Sequence, residues 1–78
     1  MENVDFKKIF SDRLKGLIDE RRLSVKEICK ELEVSTYRLL KWQRGESSPS
    51  LKYALMLAGY FKVKIDYLAG FIDEKRES

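Results

Sequence analysis

The sequence predicts an all-α fold, a compact bundle of five helices. Apolar residues recur at spacings of three and four along most of the chain, which is the period of helices that bury one face. Serines with N-cap character stand before three of these segments, at Ser24, Ser35 and Ser48. The 78 residues make one small domain, and such a chain buries only about 60% of its unfolded surface. A helical bundle suits it, because local contacts fill much of the core.

The first helix is predicted to run from a cap at Asn3 or Asp5 to about Arg21. We interpret it as scaffold for the core, because its apolar residues form one continuous stripe. Gly16 lies inside it and costs up to about 1 kcal/mol relative to Ala. The stripe comprises Phe6, Ile9, Phe10, Leu14, Leu17 and Ile18.

Two short helices joined by a tight turn follow. Ser24 and Glu27 form a capping box at the start of the second helix, which ends at about Leu32. Cys29 lies on its inner side, where we expect a small buried residue and not a reactive thiol. Ser35 caps the third helix, from Thr36 to about Arg44. So short a link forces the two helices to cross steeply, as in a helix-turn-helix.

The third helix has two different faces. Leu39 and Trp42 are expected in the core. A row of one phenol and several cations on the other face can reach both base edges and phosphates of a nucleic acid; the alternative is an ordinary solvated face. That row consists of Thr36, Tyr37, Lys41 and Arg44, with Arg38 beside it.

The rest of the chain, from residue 45 onward, is predicted to form two more helices. Gly45 ends the third helix, and Ser48 with Pro49 reads as the cap and first position of a fourth that runs to about Phe61. A fifth covers about 65–69 and stops at Gly70. Residues 74–78 are expected to be a disordered polar tail, which leaves one domain over residues 1–73. The inward residues of the fourth helix are predicted to be Leu51, Ala54, Leu55, Ala58 and Phe61.

The net charge of +3 is concentrated in one region. Residues 35–53 hold four basic side chains and one acidic one, whereas basic and acidic residues balance on either side of this segment. A local positive field of this kind attracts an anionic polymer. The alternative is a chance distribution among solvated side chains.

Several function classes are disfavoured. The chain has one Cys and no His, which excludes an internal disulfide and a Cys/His zinc site. No metal and no cofactor are expected, and the absence of the usual catalytic constellations argues against an enzyme. There is neither an apolar run of roughly 20 residues nor a signal-peptide h-region, so we expect a cytoplasmic protein.

At this level of detail the sequence resembles the phage Cro/repressor (XRE-like) helix-turn-helix domain, from about residue 9 to residue 70. The resemblance is carried by Leu23-Ser24, Ile28-Cys29, Leu32-Glu33-Val34-Ser35, Leu39, Trp42-Gln43-Arg44-Gly45, Pro49-Ser50-Leu51, Leu57-Ala58, Val63 and Asp66-Tyr67-Leu68-Ala69-Gly70.

The resemblance implies a five-helix bundle of the lambda-repressor-like type that binds duplex DNA, usually as a homodimer, with its third helix in the major groove. The implied function is a sequence-specific transcriptional regulator, with repression as the expected role. By position, Thr36, Tyr37 and Lys41 fall where the family reads bases. Ser35 and Arg44 fall where it holds phosphates, and Arg38, adjacent to them, can do either.

The chain also departs from the family pattern. Val25 stands where the family favours a Gln that contacts phosphate, and Cys29 where it favours Ala. Glu33 and Lys62 stand where it favours Gly; a left-handed Glu33 would carry a strain of about 1 kcal/mol. The charge pair that the family often has at the positions of Ile18 and Gln43 is absent as a whole.

Two alternatives stay open at this point. The same fold also serves as a protein-interaction module, antitoxin-like or partner-docking, and Val25 with an outward Leu40 favours that reading. Four apolar residues near the last two helices are candidates for a two-fold interface: Tyr60, Tyr67, Phe71 and Ile72. The alternative is that two of them, Phe71 and Ile72, fold back on the first helix, at Phe6 and Phe10.

Overall fold

The computed structural model describes residues 5–73. Over that range it contains five helices and no strand, which confirms the predicted all-α fold. The tail predicted for residues 74–78, like the alternative cap Asn3, lies outside the described residues. None of these helices is long and apolar enough to cross a membrane. The helices are α1 (Phe6–Arg21), α2 (Val25–Leu32), α3 (Thr36–Gln43), α4 (Leu51–Phe61) and α5 (Ile65–Ala69).

The first three helices begin at side-chain caps. The Asp5 carboxylate accepts a hydrogen bond from the Lys8 amide at 3.2 Å. The Ser24 hydroxyl accepts from the Glu27 amide at 3.0 Å and donates to the Glu27 carboxylate at 3.0 Å. Ser35 accepts from the Arg38 amide at 3.1 Å. Each cap satisfies an amide that the first turn leaves unpaired, so the starts predicted at Asp5, Ser24 and Ser35 are confirmed.

All five helices end at a residue in the left-handed conformation. These residues are Arg22, Glu33, Gly45, Lys62 and Gly70, with φ between 54° and 88°. At each, the next amide donates back to the helix across 2.9–3.1 Å, the Schellman arrangement. Gly45 and Gly70 are the terminators expected from the sequence. Glu33 is left-handed, the conformation that the family's preference for Gly at this position suggested; the same conformation at Arg22 was not foreseen.

The core is one apolar cluster to which every helix contributes. α1 packs against α3 and α5, α2 packs against α3, and α4 packs against α5. Cys29 is buried in this cluster, as predicted. The most deeply buried side chains are Leu14, Leu17, Ile28, Leu39, Leu57, Phe61, Val63 and Leu68.

Side chains of α1 also close the ends of two other helices. Ser11, the one buried polar residue among those described, donates its hydroxyl to the Gln43 carbonyl at the end of α3. Arg21 donates to the Phe61 carbonyl at the end of α4. Carbonyls in the last turn of a helix have no partner within the helix, so these bonds satisfy them and tie α3 and α4 to the scaffold.

The predicted start of α4 is wrong, and its predicted inner face is correct only in part, because Ala58 and Phe61 are buried but the two leucines are not. Its N-cap is Ser50, two residues later than expected, so Pro49 precedes the helix and is not its first residue. Leu51 and Leu55, predicted to face inward, are 70% and 52% exposed, whereas Leu57 is fully buried. Leucines lie on several sides of this helix, so periodicity did not select the side that meets α5. Phe6 of α1, also predicted inward, is 47% exposed.

Replacement of glycine by alanine is expected to change the free energy of unfolding in opposite directions at Gly70 and Gly16. Gly70 has φ +88°, and a Cβ there would lie 2.6 Å from Cγ2 of Ile9. Gly70→Ala should therefore lower the free energy of unfolding by about 1–3 kcal/mol. A Cβ at Gly16 meets nothing within 4 Å, so Gly16→Ala should raise that free energy by up to about 1 kcal/mol. Urea unfolding of both variants tests this; shifts of the same sign would contradict the placement of Gly70.

Candidate nucleic-acid interface

Two buried residues on the inner side of α3 fix which of its sides faces solvent. Leu39 is fully buried and Trp42 is 2% exposed. Because Ser35 caps the helix just after the left-handed Glu33, the chain reverses sharply and α3 emerges at a fixed orientation to α2. The side chains left outside form what we call the reading surface: Ser35, Thr36, Tyr37, Arg38, Lys41 and Arg44, all exposed except Lys41, which is half-buried.

The structure brings four of these six residues to one groove. The groove has a volume of about 420 Å³ and lies between α3 and the loop that leads into α4. Thr36 and Arg44 are exposed but do not line it. Serine hydroxyls of the loop face the groove, so it combines hydrogen-bond donors with positive charge. The reading-surface residues that line it are Ser35, Tyr37, Arg38 and Lys41.

Tyr37 and Lys41 form a pair one turn apart. The Lys41 Nζ lies 5.3 Å from the centroid of the Tyr37 ring, within the range of a cation–π interaction. The Tyr37 side chain is 69% exposed. The pair therefore presents a phenol and an ammonium group side by side, and both can hydrogen-bond to base edges or phosphate oxygens.

Arg44 lies at the end of α3 and is paired within the loop. Its Nε is 3.1 Å from a carboxylate oxygen of Glu46, and both side chains are about half exposed. An exposed pair of this kind is worth about 0–1 kcal/mol, so an anionic partner can compete with Glu46 for the guanidinium. Glu46 is the one acidic residue of the segment 35–53.

Sequence reasoning missed Tyr53, in the first turn of α4. Its ring lies 5.6 Å from the Trp42 ring, centroid to centroid, and contacts the side chains of Arg38 and Lys52. Tyr53 also lines the groove. No helical periodicity marks such a residue, because its position depends on where α4 begins and on how α4 crosses α3.

One departure from the family pattern, Val25, has a local explanation in the structure. Val25, which replaces a polar residue, is half-buried and packs against the core. Leu40 is half-buried and does not stand fully in solvent. Among residues 5–73, no three acidic, Cys or His side chains come together as they would to hold a metal ion.

Comparison with known proteins gives one family. A family model described as a helix-turn-helix matches residues 14–68, more than half of the chain. No curated protein and no solved structure gave a significant match. The matched range contains α2, α3 and α4, the second half of α1 and most of α5, so it includes the whole reading surface. This family is one of DNA-binding regulatory domains and is not typically enzymatic. The chain therefore belongs to the XRE-type, lambda-repressor-like helix-turn-helix family of DNA-binding domains.

Proposed function

We propose that the protein is a sequence-specific transcriptional regulator acting in the cytoplasm, and that it represses by occupying an operator with α3 in the major groove. The observation that carries this proposal is the reading surface, where exposed hydroxyl, phenol and cationic groups share the outer side of one short helix. The chain's excess positive charge lies on the same helix and on the loop that follows it.

The proposed mechanism divides the reading surface into two tasks. Thr36, Tyr37 and Lys41 read base edges, for which an ammonium group suits guanine and a ring or methyl group suits the thymine methyl. A second set fixes register on the phosphates without reading sequence. It consists of Ser35, Arg38 and Arg44.

The alternative of a protein-interaction module has weaker support. It depended on Val25 and Leu40 as apolar residues available to a partner. Val25 is packed against the core and Leu40 is half-buried. Neither residue offers the broad, fully exposed apolar surface on which a protein partner docks.

Selection from a random pool of duplexes, at two salt concentrations, tests the function directly. We expect an enriched motif whose half-sites are about one helical turn apart, because a dimer places its two reading helices on successive major grooves. Neutralising about 6–10 phosphates should lower the affinity about 10³- to 10⁵-fold from 50 to 200 mM salt. No enrichment, with retention lost at moderate salt, would remove the regulator proposal.

Substitutions on α3 should separate base reading from phosphate contact. Lys41→Ala should cost about 1–3 kcal/mol on the selected duplex and relax preference at particular base pairs. Tyr37→Ala should relax preference as well. Arg44→Ala should weaken binding to all duplexes alike and reduce the salt slope by about one. Filter binding over a panel of point-substituted duplexes measures these effects.

Lys15→Ala provides the matched control. Lys15 is an exposed lysine of α1 outside the reading surface, so its loss removes the same charge without a direct contact. An effect of Lys15→Ala as large as that of Lys41→Ala would mean that net charge, and not the reading surface, governs binding.

The protein is further proposed to bind as a homodimer, with Phe71 near the centre of the interface. Of the four residues assigned to this role from the sequence, Tyr60 and Tyr67 are half-buried against the core and Ile72 is half-buried. The Arg13 guanidinium covers the Tyr67 ring at 4.2 Å, and Tyr67, followed by Asp73, raises the pKa of Arg13.

Phe71 is 73% exposed, although its ring meets Phe6 edge to face at 6.2 Å. This contact agrees with the expectation that Phe71 folds back on the first helix. Phe6 also lines an apolar groove of about 340 Å³ beside Leu51. Phe6 thus contacts Phe71 and shares this groove with Leu51, and a second copy would cover these three exposed residues.

Sedimentation without DNA tests this interface. The wild type should be dimeric at tens of micromolar, and Phe71→Ser should shift it toward monomer, because the substitution removes an exposed aromatic anchor. Tyr37→Ser is the matched control, since Tyr37 is almost equally exposed but lies on the reading surface. A wild-type monomer at that concentration, or equal effects of the two variants, would argue against the proposed interface.

A further inference from the structure

The ring of Tyr53 contacts cations from two different helices. The guanidinium carbon of Arg38, from α3, lies 5.3 Å from the ring centroid. The Nζ of Lys52, from α4, lies 5.7 Å from it. Both distances fall within the roughly 6 Å range of cation–π attraction. One ring thus holds a residue of the reading surface and a residue outside it.

The ring itself is anchored to the core. Its centroid lies 5.6 Å from that of Trp42, with the ring planes tilted by 49°, and Trp42 is 2% exposed. Tyr53 is half-buried, so one part of the ring is fixed while the rest meets the cations. The position of the ring is therefore set by packing, whereas a free Arg or Lys side chain samples many rotamers.

The two cations keep their charge available. Within residues 5–73 neither Arg38 nor Lys52 forms an ion pair. A π-face attracts a cation but does not neutralise it as a carboxylate would. Two like charges held on one ring favour an anion that can approach both of them. The adjoining groove also carries the hydroxyls of Ser47, Ser48 and Ser50.

We propose that Tyr53 is a positioning residue for DNA binding. Its ring holds Arg38 and Lys52 where both meet the phosphate backbone of one duplex strand beside the groove. The inference rests on the proposed function and extends the machinery beyond α3 to a residue of α4. Pre-ordering the two side chains lowers the conformational entropy that they lose on binding, so the gain appears as affinity without a direct contact from Tyr53.

Three variants, measured on the duplex selected by the wild type, test the proposal. Tyr53→Leu keeps an apolar side chain against Trp42 but removes the π-face, and should weaken binding about two- to fivefold per protomer. Tyr53→Phe keeps the ring and should bind like the wild type. When both Arg38 and Lys52 are replaced by Met, a further Tyr53→Leu substitution should cause no additional loss. Thermal unfolding of each variant shows whether a loss of affinity is accompanied by a loss of stability.

A spectroscopic signature separates this inference from the proposed function. In the free protein, NMR signals of the Arg38 side chain should be shifted upfield by the ring current of residue 53 in the wild type and in Tyr53→Phe, but not in Tyr53→Leu. Equal Arg38 shifts in Tyr53→Leu and the wild type would overturn the positioning role, even if no duplex were selected.

The binding data supply the other contradicting outcomes. Unchanged affinity of Tyr53→Leu would contradict the proposal. So would a Tyr53→Leu substitution that lowers affinity as much in the Arg38/Lys52 double variant as in the wild type, because the ring would then not act through the cations. A loss in Tyr53→Phe equal to that in Tyr53→Leu would assign the effect to the phenol hydroxyl. Failure of the wild type to select any duplex would instead count against the proposed function.

Discussion

The attachment of α3 to α1 is the constraint on which the reading surface depends. The buried Ser11 hydroxyl donates to the carbonyl of Gln43, the last residue of α3. The loop then passes so close that a Cβ at Gly45 would lie 3.6 Å from the Ser11 Cβ. An unpaired buried carbonyl would cost about 1–3 kcal/mol, so the chain has a strong reason to keep this register. An eight-residue helix has little stability of its own, so α3 depends on this tertiary contact and not on the helix propensity of its residues.

Each cation of the reading surface has a local partner that restricts it. Lys41 lies over the Tyr37 ring, Arg38 over the Tyr53 ring, and Arg44 against the Glu46 carboxylate. Aromatic partners orient a charge and leave it available, whereas the carboxylate competes for it. The side chains of the reading surface are thus partly ordered before any ligand binds. The Glu46 carboxylate, after the end of α3, is the group that competes with an anionic ligand for Arg44.

Local rules predicted what depends on neighbours in sequence. The caps at Ser24 and Ser35 follow from a few adjacent residues, and both helices of the pair begin where they were predicted. The left-handed conformation of Glu33 was suggested by the family resemblance and not by its neighbours. The inner face of α4 was predicted only in part, because Leu51 and Leu57, on different sides, are equally apolar; only the packing of α5 decides between them.

Of the candidate site, the sequence predicted the exposed side of α3 and the residues that lie there. It did not predict Ser11, whose partner is 32 residues away, or Tyr53, whose role depends on how two helices cross. Such contacts leave no periodic signal. The division of the reading surface into base-reading and phosphate-holding residues comes from family resemblance and is a matter for binding experiments.

The turn residue Glu33 links two properties that most positions keep separate. Its φ of 55° strains the backbone, and it lines, with Lys52 and Tyr53, a second groove between the end of α2 and the start of α4. A left-handed residue without a side chain would remove the strain and the negative charge together. A change to glycine at this position would therefore stabilise the fold and strengthen the attraction of an anionic polymer at the same time.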